Sequence, residues 1–283
     1  MAPQSGPSGN WLITGASSGL GEALADAVLD KGGTVIATFR KAEQCSIFEA
    51  RAPGRSFAVQ MDVTDAESVQ NGVDSALNKA GRIDVLVNNA GYALRGLVEQ
   101  VSDDEAWHQL DTNVMGIIRV TRAILPAMRK QGAGRIINIS STAGSIGFPM
   151  LGLYSASKFA VVGLTESLAG EVSQFGIHVT SVEPGGFRTK FGSSSMITPA
   201  RKPPQAYDAM VSHMDANMAN FAERMPGNPD LAAQKLLALG EMDNPPVRLA
   251  LGDDALPMIS NALKGRLETY ETHAALGQGT SDR

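Results

Sequence analysis

The sequence predicts an α/β fold, a doubly wound parallel sheet of about seven strands with helices on both faces. Three observations predict it. Short apolar segments alternate with helical stretches through the first two thirds of the chain. Those segments, such as Trp11-Leu12-Ile13 and Val85-Leu86-Val87, are apolar throughout, as strands covered on both faces must be. Glycine-rich and polar stretches recur at the strand ends, where open α/β sheets bind ligands.

The first strand runs directly into Thr14-Gly15-Ala16-Ser17-Ser18-Gly19-Leu20-Gly21 and a helix over Glu22 to Lys31. Strand, glycine turn and helix together form a site for a pyrophosphate, because free N–H groups and the positive end of the helix dipole face it. The spacing is Gly-x-x-x-Gly-x-Gly. The second strand, Thr34 to Thr38, ends at Phe39-Arg40-Lys41. An acidic residue at this point would hold the ribose 2′-hydroxyl of NAD. Here Phe39 and then Arg40 stand instead, and an arginine suits a 2′-phosphate, so NADP(H) is expected.

The pattern repeats. A strand near Phe57 to Met61 ends at Asp62-Val63, and a helix over Ala66 to Ala80 follows. A strand at Val85 to Val87 opens into Asn88-Asn89-Ala90-Gly91. Ser102 to Glu105 has capping-box spacing and starts one long helix over Asp103 to Lys130. Its apolar side is read through Trp107, Leu110, Val114, Ile117, Thr121, Leu125 and Met128, with Asn113 a polar residue on the same helix. The strand Arg135 to Ile139 ends at Ser140-Ser141, and the next helix carries Tyr154-Ser155-Ala156-Ser157-Lys158. Residues four apart share a helix face, so a phenol and an ammonium lie side by side. Such a cation is expected to draw the tyrosine pKa down toward neutrality and make it an acid/base. The strand Ile177 to Val182 ends at Glu183-Pro184-Gly185-Gly186-Phe187-Arg188-Thr189.

Composition bounds the reading. At 283 residues, 43% apolar, the chain suits one α/β domain. Its net charge of −5 argues against nucleic acid. One cysteine, Cys45, excludes an intrachain disulfide and a cysteine-based metal site, and no metal is expected. The Pro/Gly/Ser-rich start lacks the features of a signal peptide, and no apolar run reaches a membrane-spanning length, so a cytoplasmic protein is expected.

Taken in order, the Thr14 to Gly21 turn, Asp62-Val63, Asn88 to Gly91, Asn113, Ser141, Tyr154-x-x-x-Lys158 and Pro184-Gly185-x-x-x-Thr189 resemble the short-chain dehydrogenase/reductase family. The resemblance covers about Asn10 to Thr189 and looks nearest to the 17β-hydroxysteroid and retinol dehydrogenases. It implies a Rossmann-type sheet of order 3-2-1-4-5-6-7. It also implies a catalytic set of Asn113, Ser141, Tyr154 and Lys158, with Ser141 rather than Ser140 orienting the substrate and Asn113 completing a proton relay. Cofactor contacts are implied for Gly15, Ser17, Ser18, Gly19, Leu20, Arg40, Asp62, Val63, Asn89, Ala90, Gly91, Tyr154, Lys158, Pro184, Gly185 and Thr189. The implied reaction is hydride transfer between NADP(H) and a ketone or secondary alcohol, in a homodimer or homotetramer. A catalytically inactive dinucleotide-binding regulator and a nucleotide-sugar epimerase are the alternatives. The complete Asn113, Ser141, Tyr154 and Lys158 set argues against the first, and the Pro184-Gly185 turn against the second.

Beyond Thr189 the expected organisation is a helical, substrate-covering extension. Residues 1–9 are read as a disordered tail, 10–277 as the single domain, 190–226 as a lid within it, and 278–283 as a polar tail. Ala206 to Met225 reads as a helix in which Met210, Met214, Met218 and Phe221 form a stripe, either core packing or a pocket wall. Helices over Asn228 to Leu239 and Leu256 to Leu276 flank a last strand, Pro246 to Leu251.

Overall fold

The computed structural model describes residues 9–189, 191, 195–218 and 221–280. The expected tails therefore lie outside the described residues at 1–8 and 281–283, as does part of the expected lid. So does the side chain of Phe221.

The first half contains β1 (Asn10–Ile13), α1 (Gly19–Asp30), β2 (Thr34–Phe39), α2 (Ala42–Glu49), β3 (Ser56–Gln60), α3 (Ala66–Ala80) and β4 (Val85–Asn88). A two-residue β5 (Ala93–Leu94), α4 (Asp103–Leu110), a π-helical turn (Asp111–Met115), α5 (Gly116–Gln131) and β6 (Gly134–Ile139) follow. Then come α6 (Gly152–Val172), β7 (Ile177–Pro184), β8 (Met196–Ile197), α7 (Asp208–Met218), α8 (Phe221–Arg224), α9 (Pro229–Glu241), β9 (Arg248–Leu251), α10 (Ala255–Thr272) and α11 (Ala274–Gly277).

Seven strands form one parallel sheet in the order β3-β2-β1-β4-β6-β7-β9. Counting only strands of this sheet, that is the expected 3-2-1-4-5-6-7. Side chains of a strand alternate between faces, and the two faces have separate cores. Trp11 and Ile13 join Val35, Val87 and Ile137 beneath α1 and α9. Leu12 points the other way, with Ile36, Leu86 and Ile136, beneath α3, α5 and α6. This is why β1 is apolar at every position after Asn10.

Local signals explain the ends of several helices. Asp65 caps α3 by accepting from Glu67 N and Ser68 N, and Gly81 at φ 73° ends it. Ser102 and Glu105 form the expected capping box on α4. Asn228 caps α9, with Pro229 at its first position.

The structure corrects the sequence reading in five places. The expected helix over Asp103 to Lys130 is broken by the π turn. An inserted residue rotates everything before it by roughly 100°, so Gln109 is buried on α4 while Trp107 is 71% exposed. The π turn also sends Asn113 fully inside. Helix α2 was not expected; it closes one face by packing Phe48 on Phe39, with ring centroids 5.5 Å apart. The expected helix over Ala206 to Met225 is a 3-10 turn at Gln205–Tyr207 followed by α7 and α8. The final helix divides at His273. Strands β5 and β8 pair with each other as a separate ribbon, too short to leave a pattern in sequence.

Candidate active site

The carboxyl ends of β1, β2, β4, β6 and β7 open onto one cavity of about 1110 Å³. It is large enough for a dinucleotide together with a second small molecule. All sixteen expected cofactor-contacting residues are spread along its wall from Arg40 and Asp62 to Tyr154 and Thr189, and Ser141 lies there too. Gly15, Ser17, Ser18, Gly19, Leu20, Val63, Asn89, Ala90, Gly91, Lys158, Pro184 and Gly185 are all among them. Asn113 lies behind this wall.

The glycine turn is held by the adjoining loop. Thr14 Oγ1 accepts from Asn89 N and Ala90 N, each at 3.0 Å. Asn89 Nδ2 donates to the carbonyls of Thr14 and Gly15 at 3.0 and 2.9 Å. The Asn89 amide is thus spent on shaping the turn. A side chain at Gly15, where φ is +67°, would stand 2.8 Å from Ala90 Cα. Ser18 makes no side-chain cap to α1, which leaves the first N–H groups of that helix without one.

Around β2 and β3, Arg40 is exposed at the strand end and Lys41 lies beside it on the cavity wall. Lys41 is a second cation there, adjacent to Arg40 in sequence, that the motif reading passed over. Burial opposes ionisation of Asp62. Hydrogen bonds from Thr64 N at 2.9 Å and Thr64 Oγ1 at 2.7 Å, and the charge of Arg40, nevertheless hold its carboxyl below the usual range.

The four expected catalytic residues converge. Ser141 caps the short turn after β6, accepting from Ala143 N at 3.1 Å, and its hydroxyl acts to lower the pKa of the Tyr154 phenol. Ser140, which also lines the cavity, donates its hydroxyl to the Lys158 carbonyl at 3.1 Å. Lys158 Nζ donates to the Ile139 carbonyl at 2.8 Å. Asn113 donates to Tyr92 O and Ser157 Oγ and accepts from Tyr92 N, so its amide clamps α6 to the loop after β4.

The electrostatics correct one expectation. Burial pushes the Tyr154 phenol up to about 12, with the Ser141 hydrogen bond acting in the opposite direction. Burial pulls Lys158 down to about 8. Desolvation outweighs the attraction of a neighbouring cation that is itself disfavoured.

The far end of the cavity is apolar. Phe191 packs on Tyr154 with ring centroids 5.6 Å apart. Met214 and Met218 of the expected stripe line the cavity, joined by Met225 and Met258, whereas Met210 is exposed. Two of the four stripe residues, Met214 and Met218, are therefore on the pocket wall, while the Phe221 side chain lies outside the described residues. Tyr92, Arg95 and His108 also line the cavity, and the sequence reading missed them. The available signal was a lone arginine shortly after the Asn88 to Gly91 turn. Among the described residues, no cluster of His, Cys, Asp and Glu is arranged for a metal, and no helix is long and apolar enough to cross a membrane.

Residues 10–198 match the family described as short chain dehydrogenase. The chain is 42% identical over 254 residues to oxidoreductase BOA17 of Botryotinia fuckeliana, covering 89% of this chain and 92% of that one. A short-chain dehydrogenase from Streptomyces avermitilis is 37% identical, with a TM-score of 0.88 over 97% of this chain and 99% of its own. A serine dehydrogenase complexed with NADP+ is 26% identical, with a TM-score of 0.73 and coverage of 85% and 93%. A 3-ketoacyl-(acyl-carrier-protein) reductase from Brucella melitensis complexed with NADH is 25% identical, with a TM-score of 0.73 and coverage of 87% and 96%. Solved relatives thus carry either nicotinamide cofactor.

Proposed function

The chain belongs to the short-chain dehydrogenase family, and from that premise we propose that it is an NADP(H)-dependent oxidoreductase acting on a ketone or secondary alcohol, with Tyr154 as acid/base. The observation that carries this reading is that Ser141, Tyr154 and Lys158 line one cavity together, at its apolar end, while its other end is cationic.

The residues present fit the cofactor. The cavity has the volume, the start of α1 lacks a side-chain cap, and Arg40 and Lys41 stand where a 2′-phosphate would need positive charge. Gly15 to Leu20 would hold the pyrophosphate, and Asp62 and Val63 would face the adenine. Asn89 to Gly91, Tyr154, Lys158, Pro184, Gly185 and Thr189 would surround the nicotinamide half. When bound, the nicotinamide supplies or accepts the hydride at the substrate carbon.

The chain's own residues handle the oxygen and its proton. Tyr154 keeps its proton well above neutrality, so it is the acid that protonates the carbonyl oxygen during reduction. Ser141 donates a hydrogen bond to the same oxygen as charge develops there. Lys158, with Nζ 5.7 Å from the Tyr154 ring centroid, offsets the charge left on the phenol. Asn113 holds Ser157 and the Tyr92 backbone, and so fixes the helix turn that presents both residues. We assign residues 190–226 as the substrate lid, on the methionines they contribute to the cavity. The lone cysteine suits a reducing, cytoplasmic setting. Following NADPH absorbance with a panel of ketones and secondary alcohols tests the reading. Turnover of none, or equal turnover by Tyr154→Phe, would refute it.

A further inference from the structure

We propose that Arg95 makes the substrate end of this cavity selective for apolar substrates bearing a carboxylate, such as oxo acids, which take over its guanidinium from Asp215. Calling that ligand a substrate rests on the reductase reading above.

Arg95 follows β5 directly and lines the same cavity as Tyr154, Phe148 and Met214. Its base is firmly held. Arg95 N donates to Ile197 O and Gly96 N to Met150 O, both at 2.8 Å. Met150 adopts φ 61°, which a side chain rarely tolerates without support from its surroundings, and its sulfur receives Arg95 Nη2 at 4.0 Å.

The guanidinium is nearly buried, with its side chain 11% exposed, so it needs an anion. The anion present is Asp215, 2.7 Å from Nη2 on α7 and itself 56% exposed. A pair with one partner so open to water is weak. Among the described residues, the recorded contacts of this side chain all pass through Nη2, leaving Nε and Nη1 as donors for a ligand. The other cations of the cavity are committed elsewhere. Arg40 and Lys41 stand beside the end of β2, and Lys158 donates to Ile139 O. A carboxylate enclosed among the methionines would gain two charge-assisted hydrogen bonds in place of one half-solvated contact. Its apolar chain would lie against Met214 and Met218, and release of Asp215 would remove one tie between α7 and the loop after β5, the Tyr207–Glu99 hydrogen bond remaining.

Titration calorimetry on the full chain, with decanoate and decanamide as non-reacting probes, tests this directly. Decanoate should bind at least about 10-fold tighter than decanamide, the scale of one hydrogen bond to a charged group. Arg95→Met should abolish the difference and leave decanamide binding unchanged. Asp215→Asn, at an exposed position, should tighten decanoate by removing its competitor. In turnover with NADPH, oxodecanoates should be preferred over their methyl esters, and Arg95→Met should remove that preference through KM. Equal binding of both probes, or a preference that survives Arg95→Met, would overturn the proposal and leave the pair as a latch on α7. Ester turnover without any Arg95 effect would refute this inference alone. Decanoate binding that depends on Arg95 without ketone turnover would refute the reductase reading alone.

Discussion

Lys158 Nζ stands 5.7 Å from the centroid of the Tyr154 ring and is held there by the carbonyl of Ile139 at 2.8 Å. The two side chains, four residues apart on α6, share a buried site in which each disfavours its charged form. The lysine comes down to about 8 and the tyrosine goes up to about 12.

The lysine shift makes stability depend on pH. In the folded chain Lys158 titrates near 8, and in the unfolded chain near its ordinary 10.5. Above about pH 8 the folded protein has released a proton that the unfolded chain still holds, so stability from this group rises with pH. Tyr154, with its folded pKa raised, acts the opposite way, and only above its ordinary 10. Denaturant melts between pH 8 and 10 should therefore show a rising contribution that Lys158→Met lacks. Parallel pH profiles for the two proteins would contradict the assignment.

Tyr154→Phe keeps the ring against Phe191 and removes only the hydroxyl. It should fold, bind NADPH and fail to turn over. Ser141→Ala should lower kcat by about 10²–10³-fold, the usual result of removing one donor to a developing oxyanion. Ser140→Ala, which loses a hydrogen bond to the Lys158 carbonyl, should instead cost about 1 kcal/mol of stability with a smaller change in kcat. Separate measurement of NADPH affinity, turnover and melting distinguishes the three.

On the reading proposed above, Arg40 selects NADP(H) over NAD(H). Arg40→Ala should weaken NADPH by about 1.5–3 kcal/mol, the scale of hydrogen bonds to a charged group, and leave NADH nearly unchanged. Tighter binding of NADH than NADPH by the unaltered protein would refute this.

Glu183 on β7 is buried and receives Arg248 of β9 through Nε and Nη2, both at 2.9 Å, and Ser145 Oγ at 2.5 Å. Arg248→Met would leave that carboxylate buried without its cation. The loss should be about 3 kcal/mol, the low end for a broken buried pair, because Arg248 is itself 34% exposed. Urea melts of Arg248→Met, Glu183→Gln and the double variant measure it. A double variant no more stable than Arg248→Met would count against the unpaired-charge explanation.

Assembly gives a fifth expectation. Phe159 is 39% exposed on α6, beside the exposed Ala160, and Met115 is 37% exposed ahead of α5. A homodimer or homotetramer burying these helices should appear in sedimentation at micromolar concentration. A monomer there would argue against it.

The order of strands and helices, the glycine turn after β1 and the pairing of Tyr154 with Lys158 on α6 could all be read from the sequence. Each rests on local information: apolar runs of strand length, glycine where the backbone turns back, and side chains four apart on a helix. The tertiary structure alone decided the rest. The π turn buries Asn113 against Ser157 of α6, a contact 44 positions away, and no period in residues 103–130 marks it. The methionines of α7 are equally suited by sequence to a core or a pocket, and only their neighbours decide which. Desolvation set the charge states of Tyr154 and Lys158, because burial is a property of the whole fold, whereas the spacing along α6 carries only their attraction. Likewise Arg95 and Asp215, 120 positions apart, meet through the folding of the β5–β8 ribbon and α7.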